Sequence, residues 1–295
     1  MRPTVLAAAP APLPRSRRLS VFRTAFGRAP AALLMVLLAV MVLFPVLWMA
    51  LSSLKTDAEI FSAVPTFLPQ APTFEHYLSL FSHFRFGRYL PNSLIIAACT
   101  TAFSVVFGVL AAYGFSRFRF PGSSALLFLV LLVRLFTPAA FVVPLYDLMS
   151  WLGLLDTLLG IIIGNTIINL PFVVWTMAVF FDDFPAELEE AAELDGMSTL
   201  SVMLKVVIPL AAPSIATVSL FSFNAGWQDF LFGLSFSRTA ASIPATVGIS
   251  AMDTGYKVYW GAMMAGGTLM SLPIIIIAFA LQKYFVKGLL TGSSK

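Results

Sequence analysis

Six stretches of this chain are long and apolar enough to cross a lipid bilayer as helices. About 20 helical residues cross the ~30 Å of hydrocarbon in a bilayer, and each stretch meets that length. The sequence therefore predicts an all-α membrane protein with six transmembrane helices. The predicted spans are residues 31–54, 91–115, 124–149, 154–181, 210–236 and 261–286.

The composition supports this interpretation and excludes other classes of protein. Of the 295 residues, 59% are hydrophobic and only 11% are charged, which leaves too little polar surface to cover a soluble globule. The one cysteine, Cys99, lies in an apolar run and excludes both an intrachain disulfide and a cysteine metal site. The pI near 9.3 does not indicate nucleic-acid binding, because the basic residues gather at the ends of apolar segments.

The distribution of lysine and arginine predicts the orientation of the chain in the membrane. Outside the spans, twelve of these residues fall on one side of the membrane and five on the other. The positive-inside rule then places both termini in the cytoplasm. Residues 1–29 are predicted to be a basic, Pro/Ala-rich cytoplasmic tail, and residues 30–295 the transmembrane domain. The first span is too long for a signal-peptide core and is read as a retained helix.

A cytoplasmic segment between the fourth and fifth spans, residues 185–209, contains the densest cluster of acids in the chain; we call it the acidic loop. Pro185 suits the first turn of a short helix. Gly196 comes where a helix end needs a left-handed residue, and Ser198 can cap a second helix. That second helix is amphipathic and is predicted to turn toward the membrane at Pro209.

The first helix of the acidic loop is predicted to face a protein partner. Ala191 and Ala192 leave a smooth patch, and Glu190 can pair with a cation on another surface. The alternative is an amphipathic helix that rests on lipid. Such helices normally carry Lys or Arg toward the headgroups, whereas this one carries five acids between Glu187 and Asp195.

The acidic loop resembles the EAA loop of bacterial ABC importer permeases. The family pattern is EAA, three residues, Gly, nine residues and Ile-x-Leu-Pro; here Glu190-Ala191-Ala192 precedes Gly196, and Val206-Val207-Ile208-Pro209 follows. The resemblance implies that the loop couples this chain to ATPase subunits. The ATPase-coupling residues it implies are Glu190, Ala191, Ala192, Gly196 and Pro209.

Other segments resemble the carbohydrate-uptake permeases of the maltose-transporter MalG type. These are YLPNSLIIA, FVVPLYDLMSWLGLLDT, FPAELEEAAELDG and QKYFVKGLLTGSSK. The resemblance implies a type I ABC importer permease fold in the bacterial inner membrane. It also implies a second homologous permease, two ATP-binding subunits and an extracytoplasmic sugar-binding protein as partners. The chain has no GxxxxGK[ST] phosphate loop, so we expect ATP and Mg to bind to the partner ATPases and no cofactor or enzymatic site in this chain.

Polar residues within the predicted spans are candidates for a solute pathway, because such residues usually face a bundle interior or water. Each has a structural alternative: a cation paired within the assembly, hydrogen bonds between helices, or an aromatic anchor at the membrane interface. Asn165 and Asn169 lie four residues apart and so share a helix face, and the same holds for Asn224 and Gln228. The substrate-pathway candidates are Asn224, Trp227, Gln228, Asn165, Asn169 and Arg134.

Two rival classes of function remain open from the residues alone. An ion-coupled secondary transporter or channel subunit would need buried acids, and apart from Asp229, near the outer end of the fifth span, the spans carry no deeply placed Asp or Glu. A membrane scaffold would leave the polar residues of the spans unexplained. His76 and His83 fall in a loop segment that is predicted to be an interfacial helix rather than a metal site.

Overall fold

A computed structural model of the protein describes residues 17–118 and 120–292. Within these residues the secondary structure is helical apart from one isolated antiparallel bridge between Asp253 and Val258, which confirms the all-α prediction. Short 3₁₀ turns span Val133–Leu135 and Pro138–Phe141, and a π turn spans Met203–Val207. The α-helices are α1 Arg17–Ser52, α2 Asp57–Ile60, α3 Glu75–Ser82, α4 Phe86–Arg117, α5 Ser123–Leu132, α6 Val142–Trp151, α7 Leu158–Asp182, α8 Glu187–Leu194, α9 Thr199–Val202, α10 Ile208–Leu210, α11 Ala212–Trp227, α12 Leu231–Phe236, α13 Ala245–Ser250 and α14 Trp260–Gly292.

Four uninterrupted helical segments of the described chain are long and apolar enough to cross a membrane. Two further pairs of helices pass the same test only when both members of the pair are taken together. The described residues therefore contain four to six candidate spans. The uninterrupted segments are Ala32–Ser52, Phe86–Arg117, Leu158–Asp182 and Trp260–Ala280.

The third predicted span, 124–149, is not one continuous helix. The chain bends by 103° between Ser123–Leu135 and Pro138–Trp151. Pro138 explains the break, since a residue before proline is driven from helical into extended backbone, and Thr137 has φ −68° and ψ 144°. The prediction of an unbroken helix here was wrong, and Arg134 lies in the 3₁₀ turn just before the break.

The fifth predicted span, 210–236, is also divided. The segment Thr199–Leu210 meets Ala212–Phe236 at an angle of 77°, close to the turn predicted at Pro209. Pro213 has no N–H to donate to the preceding turn, which favours a corner there. The helix then stops at Trp227, and α12 starts only at Leu231. The polar residues between these helices therefore lie at a break and not along one helical face.

The chain forms two compact units, Met1–Met49 and Ala50–Lys295. The first contains most of α1. In the second, α4 packs against both α7 and α11. A side chain at Gly108 of α4 could not fit, because its Cβ would lie 2.6 Å from Cγ1 of Val173 on α7. Helices α4 and α7 therefore approach closely at Gly108.

Residues 1–16 of the predicted cytoplasmic tail lie outside the described residues. Helix α1 begins at Arg17, within the segment predicted as tail. The boundary at residue 29 and the cytoplasmic position of both termini therefore stay predictions.

Candidate functional site

The acidic loop folds locally as the sequence predicts. Helix α8 ends before Gly196, whose φ of +85° is the left-handed conformation that glycine adopts most readily. The side chain of Ser198 caps α9, with its Oγ accepting a hydrogen bond of 3.4 Å from the backbone N–H of Ser201. These features confirm a helix, a corner and a second helix.

A buried carboxylate fastens α8 to the end of α4. The Oε1 atom of Glu189 accepts a hydrogen bond of 2.8 Å from Nε of Arg117, and the Arg117 Nη2 atom lies 2.7 Å from the same oxygen. The Tyr113 hydroxyl donates to Glu189 Oε2 at 2.8 Å. Glu189 is only 7% exposed, so both partners satisfy a charge that would otherwise be costly to bury. We call this group of three residues the Glu189 latch.

The same arginine also connects to the end of α7. Arg117 Nη1 donates to the Ser116 hydroxyl at 3.0 Å, and that hydroxyl donates to Asp182 Oδ1 at 2.5 Å. The ends of α4 and α7 and the start of the acidic loop are thus joined through polar contacts.

The outward face of α8 carries Glu190 and Ala191, which are exposed. Ala192 instead lies in the core beside α9 and is only 9% exposed, so it does not extend the predicted smooth patch outward. Glu189 and Ala192 are three residues apart and share the inner face of the helix. The surface available to a partner is therefore centred on Glu190, Ala191 and the exposed Leu194.

The sequence analysis did not single out Glu189 or Arg117, although both had a detectable pattern. Glu189 is placed with Ala192 on the face opposite to Glu190 by helical periodicity. Arg117 is the basic residue in the last turn of α4. An acid on the inner face of a loop helix that meets an arginine at the end of a span indicates an internal ion pair.

A cavity of about 520 Å³ lies at the breaks in the third and fifth segments; we call it the Arg134 cavity. It brings together four of the six predicted pathway residues: Arg134, Asn165, Asn169 and Gln228. It is lined by Arg134, Thr137, Pro138, Ala139, Asn165, Ile168, Asn169, Ala225, Gln228, Asp229, Phe230, Leu231 and Phe232.

Arg134 is one of the residues that line this cavity, and its guanidinium group contacts an aromatic ring. The group lies 5.3 Å from the centroid of the Phe172 ring, which is the geometry of a cation–π contact. The side chain is exposed, and within residues 17–118 and 120–292 it forms no ion pair and no hydrogen bond. Its donor groups are therefore available to a ligand or a partner chain.

The side-chain amides of the asparagine and glutamine residues differ in how many of their hydrogen-bonding groups have a partner. Asn169 is 6% exposed, and its Nδ2 atom has no hydrogen-bond partner among the described residues. Asn165 donates back to the carbonyl of Ile161 at 3.1 Å. Gln228 Nε2 donates to Asn224 Oδ1 at 2.7 Å, so this pair forms one unit at the end of α11.

Asp229, at the same break, is buried and serves as a helix cap. Its Oδ1 accepts from the backbone N–H of Phe232 at 3.2 Å and its Oδ2 from that of Gly233 at 2.8 Å. The carboxylate thereby satisfies the first N–H groups of α12.

Trp227 does not line the Arg134 cavity. It is 2% exposed, its indole N–H donates to the Met270 carbonyl at 2.9 Å, and its ring stacks on Phe223 at 5.8 Å. It borders a second cavity of about 340 Å³, together with Gln228. Its predicted contact with a sugar stays a prediction, beside a clear role in packing.

A second carboxylate organises the loops between α6 and α7 and after α12. Asp156 Oδ1 accepts hydrogen bonds from the Ser242 hydroxyl and from the backbone N–H groups of Arg238 and Thr239, the last two at 2.8 and 2.9 Å. These hydrogen bonds, that of Ser242 foremost, hold the pKa of Asp156 well below its usual range.

The histidine segment contains helix α3, Glu75–Ser82, with His83 directly after it, and its predicted place at the membrane interface stays a prediction. His76 is buried, and its Nε2 atom lies 2.8 Å from the Lys55 carbonyl oxygen. His83 lines a cavity of about 590 Å³ with His76. Nowhere in the described part of the chain do three or more His, Cys, Asp or Glu side chains gather as metal ligands would.

The described residues thus form an all-helical membrane protein in which several polar side chains line a cavity at the broken helices. Residues 104–291 match the family described as "Binding-protein-dependent transport system inner membrane component". The chain belongs to this family and is a multi-span protein of the inner membrane. This membership confirms the resemblance to ABC importer permeases that was inferred from the EAA pattern of the acidic loop.

Individual relatives agree with the family. The chain is 35% identical to "Inner membrane ABC transporter permease protein YcjP" of Escherichia coli over 88% of this chain and 93% of the relative. It is 31% identical to "Trehalose/maltose transport system permease protein MalG" of Thermococcus litoralis, over 88% and 94%. Its fold is similar to a chain in a bacterial ABC transporter involved in the import of the acidic polysaccharide alginate, with a TM-score of 0.75, 26% identity and coverage of 94% and 100%.

Proposed function

We propose that this chain is one of the two membrane subunits of an ATP-driven sugar importer. In this proposal each bent pair of helices counts as one span, which makes six spans with both termini and the acidic loop in the cytoplasm. The relatives named for trehalose, maltose and alginate transport support a carbohydrate substrate. An extracytoplasmic binding protein would deliver the sugar, and a second, homologous permease would complete the pathway.

The observation that carries this proposal is the mounting of α8 on the membrane helices. The Glu189 latch holds the inner face of α8 to α4, while Glu190 and Ala191 remain exposed on its outer face. Because one face of α8 is bound to α4 and the other is exposed, α8 can bind a partner and transmit the partner's movement to the membrane helices. We assign that partner as two ATP-binding subunits, which would bind the ATP and Mg that drive transport.

The solute would pass through the Arg134 cavity, where donors from several segments converge. Hydroxyl groups of a sugar can exchange water for contacts with amide and guanidinium groups. The homologous partner would face the open side of this cavity and contribute the remaining contacts. The breaks in the third and fifth segments expose these polar groups while neighbouring helices protect the backbone, as membrane proteins require.

The rival proposal, an ion-coupled transporter, depends on Asp229. Both of its carboxylate oxygens already accept backbone hydrogen bonds from α12, which favours a structural role over cycles of ion binding. A proton or sodium site would need an acid whose partners could be exchanged during transport. The acidic loop, in addition, has no role in an ion-coupled mechanism.

Reconstitution tests the two proposals directly. The chain would be placed in lipid vesicles with its partner permease, ATPase and binding protein, and sugar uptake would be measured. We expect uptake to require ATP on the side of the acidic loop and the binding protein on the opposite side. Uptake that needs neither, and instead follows a proton or sodium gradient, would refute the ABC importer proposal.

A further inference from the structure

Arg134 is a charged residue of the cavity that has no counter-charge among the described residues. Arginine within a membrane span is costly and normally faces water, a counter-ion or a ligand. Here Arg134 lines the cavity with its guanidinium over Phe172, and its fork of N–H donors has no ion pair and no hydrogen-bond acceptor among the described residues. Such a fork fits the two oxygens of a carboxylate or a phosphate in bidentate geometry.

The acid that shares the cavity does not provide this counter-charge. Asp229 is the one acidic residue among the described lining residues, and it is 7% exposed. Its Oδ1 and Oδ2 atoms accept hydrogen bonds from the N–H groups of Phe232 and Gly233, so the carboxyl group is already engaged by α12. The positive charge of Arg134 is therefore left for another group, since Arg134 and Asp229 form no ion pair.

Asn169 offers a further donor at the wall of the cavity. It is buried, lines the cavity, and its Nδ2 donor lacks an acceptor among the described residues. Buried donors in native proteins nearly always have a partner, so this unused donor is available to a group that enters the cavity and reorients the amide. An oxyanion would supply both the negative charge for Arg134 and acceptor oxygens for Asn169.

We propose that the Arg134 cavity selects sugars that carry an anionic group, a carboxylate or a phosphate, which Arg134 binds as a counter-ion while Asn169 donates a hydrogen bond. The proposal rests on the proposed transport function and narrows it to acidic saccharides. Arg134 and Asn169 are then residues that determine specificity. The neutral lining groups, Asn165 and Gln228 among them, would bind hydroxyls.

The test is a comparison of matched acidic and neutral probes in the reconstituted transporter. One pair is a glucose–glucuronic acid disaccharide and its carboxyl-reduced form; the other is a disaccharide phosphate and its unphosphorylated form. We expect wild-type uptake to favour the acidic member of at least one pair, and the pair that responds identifies the anion. Arg134→Gln should reduce that preference about tenfold or more, since charge-assisted hydrogen bonds are strong.

Matched variants keep the result interpretable if Arg134→Gln assembles poorly. Arg134→Lys retains the charge without the fork and should show an intermediate preference, whereas Asn169→Ala should weaken acidic uptake by several-fold. Arg88→Gln, which removes an exposed arginine outside the cavity, should leave the preference unchanged. Complex assembly would be measured for every variant by copurification of the ATPase.

Three results would overturn the inference. They are a wild-type transporter that favours the neutral member of both pairs, one that takes up no acidic probe, and an Arg134→Gln variant that loses acidic and neutral uptake equally. The last would indicate that Arg134 pairs with the partner permease. ATP-driven uptake of neutral sugars alone would refute this inference and leave the proposed function intact. Selective uptake of an acidic sugar without ATP would refute the proposed ATP-driven function and leave the anion selectivity of the cavity intact.

Discussion

The Arg117 guanidinium lies 2.7 Å from the carboxylate of Glu189 and so connects the last turn of α4 to α8. The pair is largely buried, with side-chain exposures of 19% for Arg117 and 9% for Glu189. Removing one member of a buried pair leaves an uncompensated charge, which costs more than the loss of an exposed ion pair. The inner and outer acids of α8 should therefore respond differently to substitution.

We predict that Glu189→Ala destabilises the chain by on the order of 3 kcal/mol, because it leaves Arg117 and Tyr113 without their acceptor. The matched variant Glu190→Ala removes an exposed acid from the next position and should change stability by less than about 0.5 kcal/mol. Thermal unfolding of the purified chain in detergent would rank the variants. Limited proteolysis of the acidic loop should be faster in Glu189→Ala.

An exchange of the two charges provides the control. Arg117→Glu combined with Glu189→Arg restores an ion pair in the same place and should recover part of the lost stability. Equal unfolding temperatures for Glu189→Ala and Glu190→Ala would contradict the latch.

A second prediction concerns the outer face and the corner of the acidic loop. Gly196→Pro cannot adopt the observed φ of +85°, and Glu190→Lys reverses the charge that a partner would meet. Both variants should insert into the membrane but reduce ATPase association and sugar transport. Gly196→Ala is a milder variant at the same corner and should lose less, since its strain is about 1 kcal/mol. Unchanged copurification of the ATPase with both severe variants would rule out coupling through this loop.

The features that the sequence predicted well are those with a local physical cause. The conformation of Gly196 and the cap at Ser198 follow from backbone geometry and hydrogen bonds within a few residues. The convergence of Arg134 with Asn165 and Asn169 was anticipated only as a shared preference for a polar interior. Apolar length alone was enough to find the uninterrupted spans.

The features that were missed depend on contacts between distant segments or on breaks within an apolar run. Pro138 was visible in the sequence, but the run continues on both sides and hydropathy does not distinguish a bent pair from one helix. The contact of Glu189 with Arg117 joins residues 72 positions apart, so the pattern of each helix marks one partner but does not specify the pairing. Asp229 likewise gains its capping role only because the helix ends at Trp227.

The orientation of the chain gives a third prediction. A cysteine at Thr73 should react with a membrane-impermeant maleimide added outside the cell, whereas one at Ser198 should react only after the membrane is opened. The cysteine already present, Cys99, would be replaced by serine so that each variant carries a single thiol. Labelling of the Ser198 cysteine from outside would reverse the topology and exclude ATPase docking at the acidic loop.

Asp156 provides a prediction about pH. Its pKa is lowered in the folded chain by the Ser242 hydroxyl and two backbone N–H groups, while an unfolded aspartate titrates near ~3.9. The ionised group therefore stabilises the fold above about pH 4, and this stabilisation is lost as the pH falls below that value. The difference in unfolding temperature between wild type and Asp156→Asn should be constant from about pH 6 to 8 and shrink in acid.

Asparagine is the appropriate replacement at this position. Asp156 has φ 59°, and asparagine tolerates the left-handed region better than most residues, so the variant changes the charge with little backbone strain. Exposed Asp253→Asn serves as the control and should show no comparable pH-dependent difference. A difference for Asp156→Asn that stays the same down to pH 3 would contradict a stabilising role of the ionised carboxylate.

The final prediction concerns the Asn224–Gln228 pair, whose side chains are joined by a hydrogen bond of 2.7 Å at the end of α11. Gln228 lines the Arg134 cavity and Asn224 holds its amide in place, so a sugar that uses this amide would lose a contact in either alanine variant. Loss of such a hydrogen bond costs about 1 to 3 kcal/mol, or roughly five- to 150-fold in affinity. Asn224→Ala and Gln228→Ala should therefore lower uptake or alter its selectivity, and Gln70→Ala, outside the cavity, should not. Stimulation of ATP hydrolysis by the binding protein should persist in both variants, because the acidic loop is unchanged. The comparison in vesicles is decisive: if transport and stimulated hydrolysis fall together, or neither falls, the pair has a structural role and the solute contacts lie elsewhere.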